Sequence, residues 1–302
     1  MTVLAEPTTE APERPGVPRS AAGWWAVPPV LVVVVVAVYP LLRVCLESTK
    51  GVGGQSTWAS VLASEAFRGA LWRTVAIAAT STAGCLVLGT FLAIVLAFVP
   101  FPGSGVVGRL IDTVLALPSF LVTLAFTFLY GTAGAVNAAL AGVVGGGASV
   151  LDLLYTPVGV IAAEITFFTP FVVRPLLASF SVLPRAQLDV AASLGASPLR
   201  VLRSVVMPEA WPALMAGGSL VLLLTLNEFG IVLFTGAKGV TTLPVLIYTR
   251  GIVTFDLPGA AVIATVQIAL SLALYAVYRV AFARVTARRE GDAANVVVDQ
   301  AK

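Results

Sequence analysis

Long uncharged apolar runs alternate with shorter polar segments along most of this chain. A helix needs about 20 consecutive apolar residues to cross the hydrocarbon core of a bilayer. Six runs reach or approach that length, and none shows the strict alternation of a half-buried strand. The predicted spans cover residues 20–42, 74–99, 111–130, 156–183, 208–234 and 257–278. The pattern therefore predicts an all-α integral membrane protein with about six transmembrane helices.

The segments between and beyond these runs set the expected domain limits. Residues 1–22 are rich in Pro, Glu and Thr and predict a disordered cytoplasmic tail; residues 286–302 predict a polar cytoplasmic tail. The membrane domain then covers 23–285. A signal peptide is a poorer interpretation of the first run, since no small-residue cleavage site follows it and further spans come later.

Two of the connecting tracts, residues 47–73 and 235–256, are expected on or near the external surface, and a third is left open. Residues 47–73 have mixed charge and carry Trp58 and Trp72, which suits a membrane interface. Residues 235–256 are expected to form an outer loop. Residues 131–155 are rich in Gly and Ala, and the sequence leaves open whether they form a loop or a short re-entrant piece.

Segment 184–208, here called the elbow, is too charged and too interrupted to cross a bilayer, although apolar runs flank it. Gly195 is expected to end a first short helix in the left-handed conformation. Ser197 and Pro198 are expected to begin a second helix as its N-cap and first residue. The elbow is therefore predicted to be two short helices joined by a tight turn at a membrane surface.

The second elbow helix has two faces of different character. Leu199, Leu202 and Val205 lie on one face, whereas Arg200 and Arg203 lie on another. The next span is expected to begin as a separate helix at Pro208.

A simpler alternative for the elbow is an interfacial amphipathic helix without a partner protein.

Composition agrees with a membrane protein and excludes several chemistries. The 302 residues are 58% hydrophobic and 11% charged, with no histidine. The two cysteines, Cys45 and Cys85, lie in separate apolar runs. A zinc site, a histidine-based catalytic triad and a disulfide scaffold are all disfavoured. The net charge of +3 is too small and too dispersed to indicate a nucleic-acid partner.

The distribution of basic residues predicts the orientation of the chain. Six spans put both termini on one side, and loops on the cytoplasmic side carry an excess of Lys and Arg. With the termini inside, the cytoplasmic set holds twelve of the eighteen basic residues: Arg14, Arg19, Arg109, Arg174, Arg185, Arg200, Arg203, Arg279, Arg284, Arg288, Arg289 and Lys302. The bias predicts cytoplasmic termini and a cytoplasmic elbow.

The elbow resembles a known family signature. Its D-V-A, three residues, Gly195, nine residues, V-V-M-P is similar to the E-A-A-x3-G-x9-I-x-L-P pattern of binding-protein-dependent ABC importer permeases of type I fold. It departs at Asp189, Val190, Val205 and Met207, which keep charge or apolar character. The resemblance implies a cytoplasmic coupling helix that contacts an ATPase through Asp189, Ala191, Gly195, Ser197, Pro198, Arg200, Arg203 and Pro208.

The same resemblance implies the partners and cofactors. A type I importer combines two permease chains, identical or similar, with a dimer of cytoplasmic ABC ATPases and an extracytoplasmic solute-binding protein. This chain has no G-x-x-x-x-G-K-[ST] phosphate loop; the nearest candidate, residues 236–239, lacks its spacing. We therefore expect no cofactor and no metal on this chain, and we expect the partner ATPase to bind ATP and Mg²⁺. The chain itself is expected in a bacterial cytoplasmic membrane.

A second tract narrows the resemblance to one branch of the family. Residues 226–248, LNEFGIVLFTGAKGVTTLPVLIY, are similar to permeases for sulfate, molybdate, ferric iron and 2-aminoethylphosphonate, and most similar to those for 2-aminoethylphosphonate. The resemblance covers residues 70–285, although Arg73-Thr74 departs from the Asn-Thr common in that family. A permease of the same family for sulfate, molybdate, ferric iron or a polyamine is the alternative.

Four residues are candidates for the translocation path: Pro118, Glu164, Asn227 and Glu228. Pro118 is expected to kink the third span. Glu164 and Arg174 are ten residues apart, about 15 Å along a helix, so each needs a partner elsewhere or access to water. Arg174 is also near enough to the cytoplasmic end of its span to snorkel.

The sequence allows two hypotheses for the role of Glu228. It could receive the ammonium group of 2-aminoethylphosphonate while Lys238, Arg250 or helix N-termini favour the phosphonate. The favoured alternative is a structural or gating carboxylate bound to backbone N–H groups, because a glutamate also occurs here in relatives that carry oxyanions.

Two other classes of protein are less consistent with the sequence. A stand-alone secondary transporter should show an inverted repeat with paired broken helices. An intramembrane enzyme needs a nucleophile with a base, or two neighbouring carboxylates. The chain shows no second elbow and no histidine, and Glu164 and Glu228 lie on different spans.

Overall fold

The computed structural model describes residues 24–51, 56–144 and 153–300, with side chains through residue 284 apart from residue 144. The predicted tail 1–22 lies outside these residues. In chain order the helices are α1 Val27–Ser48, α2 Thr57–Ala63, α3 Glu65–Phe98, α4 Ser104–Leu115, α5 Ser119–Tyr130, α6 Ala135–Val144, α7 Pro157–Phe168, α8 Pro170–Ser181, α9 Arg185–Ser193, α10 Pro198–Leu226, α11 Gly230–Thr235, α12 Leu243–Val253 and α13 Leu257–Gln300.

Within the described ranges, six helical segments are long and apolar enough to cross a membrane, which confirms the predicted number. They are α1, α3, α5 with α6, α7 with α8, α10, and the first 28 residues of α13. The short helices α2, α4, α9, α11 and α12 connect them. The prediction of an all-α membrane architecture is therefore correct.

The second span begins earlier than its uncharged run indicates. Helix α3 starts at Glu65 instead of Thr74 and is 34 residues long. The Ser64 side chain accepts a hydrogen bond from the Phe67 N–H at 3.3 Å, and the acidic Glu65 lies in the positive first turn. The segment 47–73, which we predicted to be an external connection, is thus largely helical.

Pro118 separates two helices and does not kink one. Helix α4 ends at Leu115, Pro118 is extended (φ −61°, ψ 142°), and α5 begins at Ser119. A proline disfavours the helical conformation of the residue before it and has no N–H to donate. The predicted continuous span 111–130 is therefore wrong at this point.

Three further tracts contain more helix than predicted. Helix α6 lies within the tract 131–155, and α12 lies within the predicted outer loop 235–256. Helix α13 continues through the predicted tail as far as Gln300. Apolar helices of 6–11 residues are shorter than a membrane span, so a search for span-length apolar runs assigns them to loops.

Helices α3, α8 and α10 pack against one another and form the centre of the bundle, whereas α1 lies outside it against α13. Glycines permit this close contact. A Cβ atom on Gly89 of α3 would lie 2.7 Å from the Cβ of Val172 in α8, and one on Gly217 of α10 would lie 3.0 Å from the carbonyl oxygen of Phe171. Small residues at such crossings let helices in a membrane pack by direct van der Waals contact.

We expect Gly89→Ala to lower the stability of the detergent-solubilised protein. The new Cβ would overlap Val172, which is fully buried, so α3 and α8 must separate. Overpacking of this kind costs about 1–3 kcal/mol. The measurement is the thermal unfolding midpoint, with Gly142→Ala as the matched control, because a Cβ at Gly142 in α6 meets nothing within 4 Å. Equal shifts in the two variants would show that the contact is not tight.

Candidate functional site

The turn of the elbow has the predicted left-handed glycine. Gly195 has φ +75°, and it follows α9 after Leu194. The Ala196 N–H donates to the Ala191 carbonyl at 3.1 Å, and the Gly195 N–H donates to the Ala192 carbonyl at 2.9 Å. This pair of bonds is a Schellman motif, which satisfies carbonyl groups at the end of a helix. The predicted turn is therefore confirmed, and its backbone is fixed by its own hydrogen bonds.

The second elbow helix begins where predicted but does not end before the next span. Ser197 is the N-cap with an extended backbone, without a side-chain capping bond, and Pro198 is the first residue. The helix then runs unbroken through Pro208 to Leu226, 29 residues in all. A wide π turn at Leu202–Val206 precedes Pro208 and relieves the clash that its ring would otherwise make. The predicted new start at Pro208 is wrong.

The elbow carries exposed charges and exposed apolar side chains. Asp189, Arg200 and Arg203 are exposed. So are Val190, Leu194 and Leu199, at 57%, 81% and 63% of their surfaces. The predicted apolar face is divided, because Leu202 packs against the hydrophobic core while Leu199 does not. Val190 and Leu194, four residues apart, were missed by the sequence analysis, although their spacing places them on one face of α9.

Arg174, on α8 just before the elbow, has a partner that the sequence did not reveal. It forms an ion pair with Asp112 of α4, and both side chains are a little over 40% exposed. The requirement for a partner outside its own helix is therefore confirmed. Asp112 is a carboxylate in a predicted apolar span, and this position was the sequence signal that could have indicated a partner for Arg174. The pair connects α4 to the helix that enters the elbow.

At the other end of α10 the helix breaks, and polar side chains surround the break. The Glu228 Oε1 atom accepts hydrogen bonds from the Ser119 hydroxyl at 3.1 Å and from the Ile231 N–H at 2.8 Å. The Gln267 amide donates to the Leu226 carbonyl at 2.8 Å and to Asn227 Oδ1 at 3.3 Å. We call Ser119, Asn227, Glu228 and Gln267 the helix-break cluster.

The cluster contains two of the four predicted path residues, and a third lies next to it. Pro118 immediately precedes Ser119, which contacts Glu228, and Asn227 precedes Glu228. Asn227 is exposed and Glu228 is partly buried. The sequence analysis missed Ser119 and Gln267, because their partners are about 110 and 40 residues away. The favoured reading of Glu228 as a carboxylate bound to backbone N–H agrees with its contact to Ile231.

Glu164 lies inside the bundle. Its side chain is fully buried, and neither carboxylate oxygen has a hydrogen-bond partner among the described residues. The buried Ser81 hydroxyl likewise has no hydrogen-bond partner among the described residues. In this conformation Glu164 has no surface that faces a path, so its role there stays a prediction.

Of the two cations considered for the solute's anionic group, Arg250 already has an acidic partner. Its guanidinium lies 3.5 Å from the Asp256 carboxylate. The Asp256 carboxylate also accepts the Gly259 N–H at 3.0 Å, so the ion pair fixes the turn between α12 and α13. Lys238 is exposed, and its backbone N–H donates to the Tyr155 carbonyl at 3.2 Å. Lys238 has no ion-pair partner among the described residues, so its ammonium group is exposed on the tract between α11 and α12.

Comparison with known proteins gives a consistent result. Residues 85–287 match the family model described as binding-protein-dependent transport system inner membrane component. The chain is 48% identical over 269 residues to a protein of Salmonella paratyphi A named as a 2-aminoethylphosphonate transport system permease, covering 88% of this chain and 93% of that one. It is 33% identical over 193 residues to a sulfate transport system permease of Salmonella typhimurium, covering 62% and 66% of the two chains.

A solved structure shows the same fold at low sequence identity. The chain superposes on a bacterial ABC transporter that imports the acidic polysaccharide alginate, with a TM-score of 0.77, 16% identity, and coverage of 88% of this chain and 96% of that one. The six apolar spans, the elbow and these similarities agree with one another. The chain belongs to the binding-protein-dependent transport system inner membrane components, the multi-pass permease subunits of ABC importers, which are not enzymes themselves.

Proposed function

We propose that this chain forms the translocation path of an ATP-driven importer for 2-aminoethylphosphonate. The observation that carries the mechanism is the elbow, an exposed turn with a fixed backbone that continues without a break into the spanning helix α10. The substrate is supported by the 48% identity, over 88% of the chain, to a permease named for this solute. The sulfate permease relative is less similar and matches less of the chain, which favours 2-aminoethylphosphonate over sulfate.

The elbow would bind a groove on a cytoplasmic ABC ATPase. Leu194 and Leu199 project apolar surface that none of the described residues covers, and Arg200 and Arg203 supply positive charge beside it. A groove with an apolar floor and acidic residues at its rim would fit this surface. Two ATPase subunits would bind ATP and Mg²⁺, one for each of two permease chains, since this chain has no phosphate loop.

The orientation of the chain in the membrane follows from the proposed ATPase partner. An ATPase partner requires the elbow to be cytoplasmic, and the two-to-one bias of basic residues puts both termini on that side. The tracts between α1 and α3 and between α11 and α13 would then face outward. A solute-binding protein would deliver the ligand there. A solved alginate ABC transporter of the same fold is in complex with a periplasmic protein that holds an alginate pentasaccharide.

Movement of the elbow would reach the helix-break cluster through α10 itself. The helix is about 43 Å long from Pro198 to Leu226 at 1.5 Å per residue. Helix α8, which enters the elbow, packs closely against α10, so the two would move together. At the far end, the Glu228 contacts connect α10 to Ser119 of α5 and to α11. Asn227, Glu228 and Pro118 would then open and close a solute path in response to the ATPase.

The first prediction concerns the driving force and the solute. The test uses proteoliposomes that hold this chain with its ATPase and ATP in the lumen and the binding protein outside. They are expected to accumulate radiolabelled 2-aminoethylphosphonate, and vesicles without ATP in the lumen are not. Vanadate should stop uptake, and a hundredfold excess of sulfate or putrescine should leave it unchanged. Accumulation by vesicles that hold this chain alone would instead indicate a secondary transporter.

The second prediction tests the elbow. Gly195→Asp should abolish uptake while the protein remains inserted in the membrane, because a negative charge would enter the surface offered to the ATPase. A Cβ at Gly195 meets nothing within 4 Å, so no steric clash within this chain contributes. Gly195→Asn is the matched control, since Asn has the same shape and tolerates the left-handed conformation. If both variants lose uptake equally, the backbone and not the charge is responsible.

The third prediction separates the two readings of Glu228. A glutamine at 228 keeps an oxygen that can accept from Ser119 and Ile231, whereas an alanine leaves both donors without this acceptor. We expect Glu228→Gln to keep the apparent affinity for 2-aminoethylphosphonate within about twofold, and Glu228→Ala to lower both uptake and the unfolding midpoint. A rise of tenfold or more in KM for Glu228→Gln alone would assign the carboxylate to the solute ammonium group.

A further inference from the structure

A groove of about 830 Å³ lies between α10 and α13, and it has no role in the solute path described above. Pro212, Met215 and Ala216 of α10 form one wall, and Val280, Phe282 and Ala283 contribute to the other. Its volume is within the range of about 300–1,000 Å³ that is typical of ligand clefts. The surrounding surface is also apolar, with Leu220 and Val280 more than 40% exposed. The groove therefore opens toward the hydrophobic exterior of the bundle.

The polar groups in the groove bond mainly to the protein itself. The Tyr278 hydroxyl donates to the Met215 carbonyl at 2.9 Å, which joins the two helices across the floor. The Ser219 hydroxyl donates to the Ala216 carbonyl of its own helix at 2.9 Å. With these groups satisfied, the interior offers little hydrogen bonding to an occupant. An aliphatic chain is the kind of ligand that such a surface favours.

Arg279 is the exception. Its guanidinium is exposed, lies 5.9 Å from the centre of the Tyr275 ring, and donates to the Tyr275 hydroxyl at 3.3 Å. The ion pairs among the described residues are Lys50–Glu47, Arg174–Asp112 and Arg250–Asp256, so Arg279 has no carboxylate partner in this part of the chain. A guanidinium has five N–H donors, and most of those of Arg279 remain available.

The position of Arg279 along α13 places it at a membrane surface. It is 22 residues beyond Leu257, which is about 33 Å along a helix and slightly more than the thickness of the hydrocarbon core. The wall residues of α10 follow shortly after the elbow, so the groove lies in the leaflet on the elbow side. Arg284, one and a half turns further on, is also exposed and adds positive charge at the same surface.

We propose that this groove binds one anionic phospholipid from the leaflet on the elbow side. An acyl chain would lie between α10 and α13, and the lipid phosphate would accept hydrogen bonds from Arg279. Basic residues at the mouth of a cleft between membrane helices are a known basis for anionic headgroup recognition. The inference requires only that the chain spans a membrane, and it does not depend on the transported solute.

The charges argue against a second copy of the chain as the occupant. In a two-fold symmetric contact the same patch meets itself. The residues that line the groove include Arg279 but no carboxylate, so self-association here would bring arginines together without counter-charges. A phosphate supplies the missing negative charge, and a lipid also supplies the apolar chain. The two features of the groove therefore favour the same ligand.

The test titrates two lipids with identical acyl chains, phosphatidylglycerol and phosphatidylcholine, into the detergent-solubilised full-length chain and follows binding by native mass spectrometry. Wild type should bind phosphatidylglycerol about tenfold more tightly. Arg279→Gln should remove that preference, and Arg279→Lys should retain part of it. Arg109→Gln, at an exposed arginine of α4 whose Nε bonds to its own helix, is the matched control and should behave as wild type.

A second variant tests the groove independently of charge. Ala216→Trp should fill the cleft and weaken binding of both lipids without changing the unfolding midpoint of the lipid-free protein. Equal affinity of wild type for the two lipids, or equal losses in Arg279→Gln and Arg109→Gln, would overturn the proposal. Efficient disulfide formation between two copies through Ser219→Cys in a Cys45→Ser background would also overturn it, since the groove would then be an interface between permease chains.

Discussion

The close packing of α8 against α10 is the contact on which the rest of this structure depends. These two helices enter and leave the elbow, and Gly217 lets the α10 backbone approach Phe171 and Val172 of α8. Because Gly89 brings α3 against the same part of α8, three helices share one crossing. A turn whose two ends are fixed to touching helices cannot swing freely. A force on the elbow therefore has to displace the bundle.

A second constraint governs the far end of α10. A helix that ends beside other membrane helices leaves carbonyl and N–H groups that need hydrogen-bond partners. Here Gln267 donates to the Leu226 carbonyl at the end of α10, and Glu228 accepts from the Ile231 N–H at the start of α11. Glu228, which sequence reasoning assigns to a solute path, thus also makes the break possible, together with Gln267, which the sequence did not indicate. The first bond holds the end of α10 to α13, and the second holds the connection after α10 to the start of α11.

The sequence predicted those features that depend on neighbouring residues. The apolar runs predicted six spans, and Gly195 with Ser197 and Pro198 predicted the turn of the elbow. The failures arose where a second part of the chain decides the outcome. Asp112 pairs with Arg174 from 62 positions away, and Ser119 reaches Glu228 across about 110. No local pattern contains such pairs.

The predicted helix boundaries were wrong for a different reason. The search for uncharged runs assumes that a helix ends where its hydrocarbon section ends, yet α3 carries Glu65, Arg68 and Arg73 in its first turns. A helix can extend past the hydrocarbon, because its backbone bonds are internal and its charged side chains then reach water. At Pro208 the opposite assumption failed. A proline inside a membrane helix need not end it, as Pro212 in the same helix also shows. The wide turn at Leu202–Val206 makes room for the Pro208 ring, and the elbow and the span form one continuous helix.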